Sequence, residues 1–211
     1  MHVQYGCGFS APSNWTNFDS SPTLRFERLP LVGMLYTKNA DRFPANVRYG
    51  DVVSGLPIAS DSCEGVYASH VLEHLSREDI DKALAETYRM LKPGGLFRLV
   101  VPDLERAARE YISRVDAGCP TSADHFMWDG TMLGRKTKSR KLWGILYEGL
   151  ATHAHLWMWD FNSLAHLLRR HRFVSIRRAS FNDCGDKAFL SVEEQSRFDG
   201  ALAIEAEKPK G

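Results

Sequence analysis

Between Gly65 and Val101 the chain spells out a strand, a capped helix, a helix stop and a second strand, and few architectures accept that order. Gly65-Val66-Tyr67-Ala68-Ser69 is short and apolar enough for a buried strand. Ser76 is a good N-cap, with Asp79 in capping-box position three residues on. Ile80, Leu84, Thr87, Tyr88 and Leu91 then recur at helical spacing. Lys92-Pro93-Gly94-Gly95 ends the helix. Leu96 to Val101 follows as an apolar strand, closed by Pro102, which has no N–H for a ladder.

The same alternation runs through the rest of the chain. Val3 to Tyr5 reads as a strand entering a glycine turn, residues 9–14 as a loop, and Trp15 to Phe18 as a strand ending at Asp19. Leu24 to Tyr36 contains a strand or an irregular helix, and Val47 to Val53 is a strand ending near Asp51. Leu104 to Val115 is an amphipathic helix, residues 117–135 are irregular, and Lys141 to Leu150 is helical. Asp160 caps a helix with Phe161, Leu164, Leu167 and Leu168 on its apolar face. Arg172 to Phe181 and Ala201 to Glu207 are strands close enough to pair antiparallel. The expectation is an α/β fold with a mostly parallel, doubly wound sheet and an antiparallel C-terminal strand pair. Its 211 residues suit a single domain, 1–211, with a lid or acceptor-site insertion around 104–160.

Composition excludes several classes. A formal net charge of +1 gives no bulk attraction to nucleic acid or anionic membrane. Cys7, Cys63, Cys119 and Cys184 form no CxxC pair, so they are expected to be reduced thiols. No apolar stretch approaches the roughly 20 residues needed to cross a bilayer. The N-terminus has neither a basic n-region nor an apolar h-region, so a cytoplasmic protein is expected.

Ligand-binding signals cluster just after predicted strands. Gly6 and Gly8 let the backbone approach a ligand closely. With Ala11 they fit the dinucleotide fingerprint G-x-G-x-x-G/A. The context turns the loop away from nicotinamide: Pro12 interrupts, no helical pattern follows, and Asp19 comes too early for the ribose acid of a dinucleotide site. Asp19 can still accept hydrogen bonds from a ribose diol, or serve as a turn residue before Ser20-Ser21-Pro22. Asp51 has a capping alternative of the same kind, and Ser69 and His70 can be a packed strand end.

Gly50-Asp51-Val52, Leu56-Pro57-Ile58, Asp61-Ser62, the run Val66 to His74 (VYASHVLEH) and the run Arg89 to Leu96 (RMLKPGGL) together resemble the core of class I S-adenosylmethionine-dependent methyltransferases. Within these the chain is most similar to the small methyltransferase-11 type, often associated with polysaccharide biosynthesis. The resemblance is strong over residues 47–103 and weaker at 3–19 and 153–207. It implies a Rossmann-like sheet with S-adenosylmethionine as the only cofactor. It places Gly6 and Gly8 under the methionine part, with Tyr5 and Cys7 among the cofactor-binding residues, Asp19 at the ribose, Asp51 and Val52 at the adenine, and Ser69 and His70 beside the sulfonium. The chain departs from the family pattern in one respect. Only six residues separate Gly8 from Trp15, so the helix of the first βαβ unit is shortened or absent. The helix N-terminus that would help hold the cofactor's carboxylate goes with it, and loop amides, Arg25 or Arg28 must substitute.

Methyl transfer asks for alignment, exclusion of water and, for a hydroxyl or amine acceptor, a base. His70, His74, His153 and His155 are the candidates, with His155 placed in an aromatic run before the helix capped by Asp160. Glu73 and His74 face the start of the helix capped by Ser76, where His74 can equally make a structural hydrogen bond. His153, His155 and Asp160 offer metal donors, but no third ligand has diagnostic spacing, so no metal is expected. The basic runs Arg135 to Lys141 and Arg169 to Arg172 read as solvated faces; an acidic acceptor or RNA is the alternative for the first. The expected reaction is methyl transfer to a small-molecule or saccharide-type acceptor. The rival readings are an RNA methyltransferase and a non-catalytic S-adenosylmethionine-binding partner subunit.

Overall fold

The computed structural model describes residues 1–29, 42–133 and 155–210. Seven strands form one sheet: β1 (His2–Tyr5), β2 (Thr16–Asp19), β3 (Val47–Tyr49), β4 (Cys63–Ser69), β5 (Leu91–Pro102), β6 (Val174–Ala179) and β7 (Ala201–Glu207). Their order is β3-β2-β1-β4-β5-β7-β6. Only β7 runs against its neighbours, β5 and β6. The described helices are α1 (Pro22–Glu27), α2 (Asp79–Met90), α3 (Leu104–Asp116) and α4 (Phe161–Arg170), with shorter helical turns between them. The α/β, mostly parallel sheet with an antiparallel final pair is the expected architecture, and no helix stands between β1 and β2.

Local signals locate the helices well. The Ser76 hydroxyl accepts from the Asp79 amide at 3.1 Å and donates to the Asp79 carboxylate at 2.7 Å. Asp160 accepts from the Ser163 amide at 2.9 Å, and the Ser163 hydroxyl caps in return. Boundaries shift where pairing overrides propensity. β5 begins at Leu91, not Leu96, because Leu91 pairs with Cys63 and a register shift absorbs the Pro-Gly-Gly segment. β3 stops at Tyr49, since Asp51 folds the next residues into a turn by accepting from the Val53 amide and the Ser54 hydroxyl. β6 covers Val174–Ala179 and not the full Arg172 to Phe181, as Arg172 takes a positive φ of 67° and Phe181 turns to pack on Phe198. Leu24 lies in helix α1, residues 122–130 form helical turns where irregular chain was expected, and the Lys141 to Leu150 helix lies outside the described residues.

The two sheet faces are covered differently. Val3, Tyr5, Phe18, Val66, Ala68, Phe97, Leu99 and Ile204 point to one face, where α2 and α4 supply Ile80, Leu84, Leu164 and Leu168. Tyr67, Val100 and Ala203 point to the other, together with Trp15. Right-handed crossovers put the connections leading away from β1 toward β3 on this second face, and the β1–β2 connection has no helix to offer. The cover comes instead from the β6–β7 connection, residues 180–200, which lays Phe189, Val192 and Phe198 on it.

A buried ion network anchors that connection. Arg98 of β5 is fully buried and points to the second face. Its Nε donates to Glu193, Nη1 to the Asp183 carbonyl at 2.8 Å and to Glu205 at 3.4 Å, and Nη2 to the Ser180 carbonyl at 2.6 Å. Glu193 also accepts from the Asn182 amide at 2.6 Å. Glu205, directly opposite Arg98 in the β5–β7 ladder, also accepts from Arg177 at 2.7 Å and from the Gly185 amide at 3.1 Å. Breaking a buried pair from one side leaves an uncompensated charge, at a cost of about 3–5 kcal/mol. Arg98→Met is therefore expected to lose that much stability in urea denaturation, while Arg109→Met, at an exposed i,i+4 pair with Glu105, leaves the curve nearly unchanged. Equal, small losses in both would mean that the network does not anchor the connection.

Candidate active site at the carboxyl edge of the sheet

The carboxyl ends of β1, β2, β3 and β4 bring Gly6, Asp19, Asp51 and Ser69 to one edge of the sheet, as parallel register requires. The glycine loop is a tight cradle. Gly6 has φ +65°, and a Cβ there would stand 2.3 Å from Val71 Cγ2, so only glycine fits. Asp19 is nearly buried and fixes the loop from below. One carboxylate oxygen accepts from the Gly8 amide at 2.9 Å and the other from the Ser21 amide at 2.8 Å. Each oxygen keeps further acceptor capacity.

Other residues named from sequence enter by backbone or not at all. The Tyr5 ring lies in the core, with its hydroxyl 3.1 Å from that of Thr87, and burial pushes its pKa far up. Cys7 packs with Leu24 and Val47, and its thiol is pushed up to about 12, by burial first and Asp19 second, so it is no nucleophile. Val52 is a core residue and Asp51 holds its own turn. Arg28 donates to the Pro44 carbonyl at 2.7 Å and Arg25 lies over the Tyr49 ring.

Arg197, which the sequence reading passed over, supplies a cation at this edge. The cleft between β1 and β4 is lined by Gly6, Cys7, Ser69, Val192 and Arg197. The last two come from the β6–β7 connection, and Arg197 Nη1 lies 3.5 Å from the Ser69 carbonyl oxygen. The buried hydroxyls of Ser69 and Tyr67 lie beside each other at the end of β4. The glycine loop, the Asp19 carboxylate and the partly exposed guanidinium are donors and acceptors that suit a polar ligand bearing hydroxyls and a carboxylate.

Past β4 the chain turns sharply. His70 takes φ +53°, and its amide donates to the Val100 carbonyl at 2.8 Å. Its Nε2 lies 2.9 Å from the Arg197 carbonyl, which can only accept, and Nδ1 lies 3.1 Å from Glu73. Burial alone would lower this imidazole; the Glu73 carboxylate and the Arg197 carbonyl outweigh it and hold the pKa above its ordinary value. With both ring nitrogens engaged, His70 has none left to take an acceptor's proton.

Glu73, His74 and His155 gather beside it. Glu73 is fully buried, His74 is exposed and His155 is nearly buried. The Glu73 carbonyl accepts from the Leu156 and Trp157 amides at 2.8 and 3.1 Å, which brings the segment bearing His155 alongside. His155 Nδ1 donates to the Thr131 carbonyl at 2.7 Å, so in the neutral ring Nε2 carries the lone pair, and burial lowers the pKa. The rings of His74 and His155 stand 5.2 Å apart. His153 and the run Arg135 to Lys141 lie outside the described residues.

Residues 4–99 match the family model described as a methyltransferase domain. No curated protein matches the chain. Among solved structures, an S-adenosylmethionine-dependent methyltransferase from Methanosarcina mazei aligns with TM-score 0.53 at 16% identity, over 100% of this chain and 92% of that one. One from Archaeoglobus fulgidus aligns with TM-score 0.52 at 15% identity, over 98% of this chain and 85% of that one. One from Mesorhizobium loti aligns with TM-score 0.50 at 15% identity, over 98% and 89%. Among the described residues no helix is long and apolar enough to cross a membrane. The chain has the fold of S-adenosylmethionine-dependent methyltransferases and, over residues 4–99, matches their methyltransferase domain.

Proposed function

We propose that this chain is an S-adenosylmethionine-dependent methyltransferase acting on a small-molecule or saccharide-type acceptor. The observation that carries the reading is the convergence of the Gly6 cradle, Asp19, Asp51 and Ser69 at one carboxyl edge of a parallel sheet, where such folds bind ligands. The cofactor supplies a methyl group already activated on sulfur. The chain's part is to hold it, align the acceptor and exclude water.

In this reading the glycine loop passes under the methionine part. Asp19 has acceptor capacity left for the ribose hydroxyls, and Asp51 with Val52 borders the adenine. Arg197 takes the place of the missing helix N-terminus by pairing with the cofactor's carboxylate. The acceptor meets the methyl group past Ser69 and His70, facing His74 and His155. The near-neutral charge of the chain favours a small acceptor over RNA.

Two measurements test this. Calorimetry is expected to show binding of S-adenosylmethionine and S-adenosylhomocysteine; binding of neither at millimolar concentration would remove the proposal. Arg197→Ala is expected to weaken both by about tenfold or more, the worth of a charge-assisted hydrogen bond. It should leave 5′-methylthioadenosine, which lacks the carboxylate, almost unchanged. An equal loss for all three ligands would mean that Arg197 acts through the fold instead. His155→Ala is expected to keep cofactor affinity and lose turnover.

A further inference from the structure

We propose that Glu73, His74 and His155 form a binding site for a divalent first-row transition ion, Zn²⁺ foremost. A carboxylate oxygen of Glu73 and one ring nitrogen of each histidine lie within 4.8 Å of one another. Two imidazoles and a carboxylate make a donor set that suits Zn²⁺, Co²⁺ or Mn²⁺ better than Ca²⁺, which takes oxygen ligands.

Three independent features point to an ion and not to chance proximity. First, Glu73 is fully buried, yet only one of its carboxylate oxygens is engaged, by His70 Nδ1 at 3.1 Å. The other, Oε2, has no hydrogen-bond partner among the described residues. A buried carboxylate oxygen left bare is destabilising, and a cation would satisfy it. Second, His155 is already set in the tautomer a ligand needs. Its Nδ1–H is given to the Thr131 carbonyl at 2.7 Å, so Nε2 presents a lone pair. Metal-bound histidines are oriented in this way, by a backbone carbonyl or carboxylate on the far nitrogen. Third, no hydrogen bond among the described residues ties down the exposed His74 ring, and it meets His155 edge-on.

The spacing is close to what coordination requires. Bonds of about 2.0–2.2 Å place the donors of a tetrahedral ion roughly 3.3–3.5 Å apart. The cluster must contract by about an ångström for one ion to be held by all three donors. Three protein donors leave a coordination position open, as in catalytic and not structural zinc sites. Resting on the methyltransferase reading, that position would receive an oxygen or nitrogen of the acceptor and orient it beside His70. The ion site itself stands on the geometry of the three side chains alone.

The test uses the full chain, free of any affinity tag and stripped with a chelator. Titration with Co²⁺, followed by visible absorption and by competition with Zn²⁺, is expected to show about one ion per chain in a tetrahedral or five-coordinate nitrogen–oxygen environment. His74→Ala, at an exposed position, should fold normally and lose at least about tenfold in affinity, and His155→Ala should do likewise. His166→Ala, at an exposed position on α4, should change nothing. Failure of Co²⁺ and Zn²⁺ to bind at 0.1 mM (about −5.5 kcal/mol) would overturn the proposal. So would binding that is indifferent to His74→Ala and His155→Ala. Calorimetry with S-adenosylmethionine keeps the two readings apart. Cofactor binding without an ion defeats only the metal site, whereas an ion without cofactor binding leaves the site standing and defeats its role toward an acceptor.

Discussion

The fold depends on Arg98. A charge in the middle of an apolar strand is tolerated only when its donors are spent, and Arg98 spends them on Glu193, Glu205 and two carbonyls of the β6–β7 connection. The network need not be a net source of stability, since desolvating several charges costs much of what their pairing returns. Its consequence is positional. It presses a segment without long helices onto a sheet face that the missing first helix would otherwise help cover, and it brings Phe189 and Val192 into the core there. The same segment continues to Arg197 at the glycine loop. A connection near the C-terminus thus covers a sheet face to which the β1–β2 connection brings no helix.

The carboxyl edge shows how little side-chain specialisation the cradle uses. Gly6 gives space, Asp19 spends one hydrogen bond per oxygen on the loop amides of Gly8 and Ser21, and Asp51 does the same for the turn after β3. These carboxylates are shape-holding groups first. A ligand reaching this edge meets acceptors whose directions are already fixed by the backbone, which lowers the ordering cost of binding.

The legible parts of the sequence were the local ones. Ser76 with Asp79 and Asp160 with Ser163 fixed two helices, because capping is decided within four residues. The run Leu96 to Val101 gave a strand, though its true start at Leu91 depended on pairing with Cys63. The β6–β7 connection carried no periodicity, as its short helical turns are shaped by what they cover. Yet a trace of it was visible. Arg98 and Glu205 are charged residues inside apolar strands, and the two strands set them directly opposite each other. Glu73 and His155 were harder to join. The link between them is a pair of backbone hydrogen bonds from Leu156 and Trp157 to the Glu73 carbonyl, which no residue type announces.

His70 joins these separate pieces. A non-glycine residue in the left-handed region costs of order 1–3 kcal/mol and persists only where its surroundings over-determine it. Here the Val100 carbonyl holds the amide, the Arg197 carbonyl holds one ring nitrogen and Glu73 holds the other. The strained turn therefore ties the segment bearing the cationic Arg197 to the segment bearing the Glu73 carboxylate, across the end of β4. Neither side can shift without loosening the imidazole that positions the other. A side chain of similar size but without two ring nitrogens would keep the strain and lose the tie. The geometry at this point accordingly couples the position of Arg197 to that of Glu73.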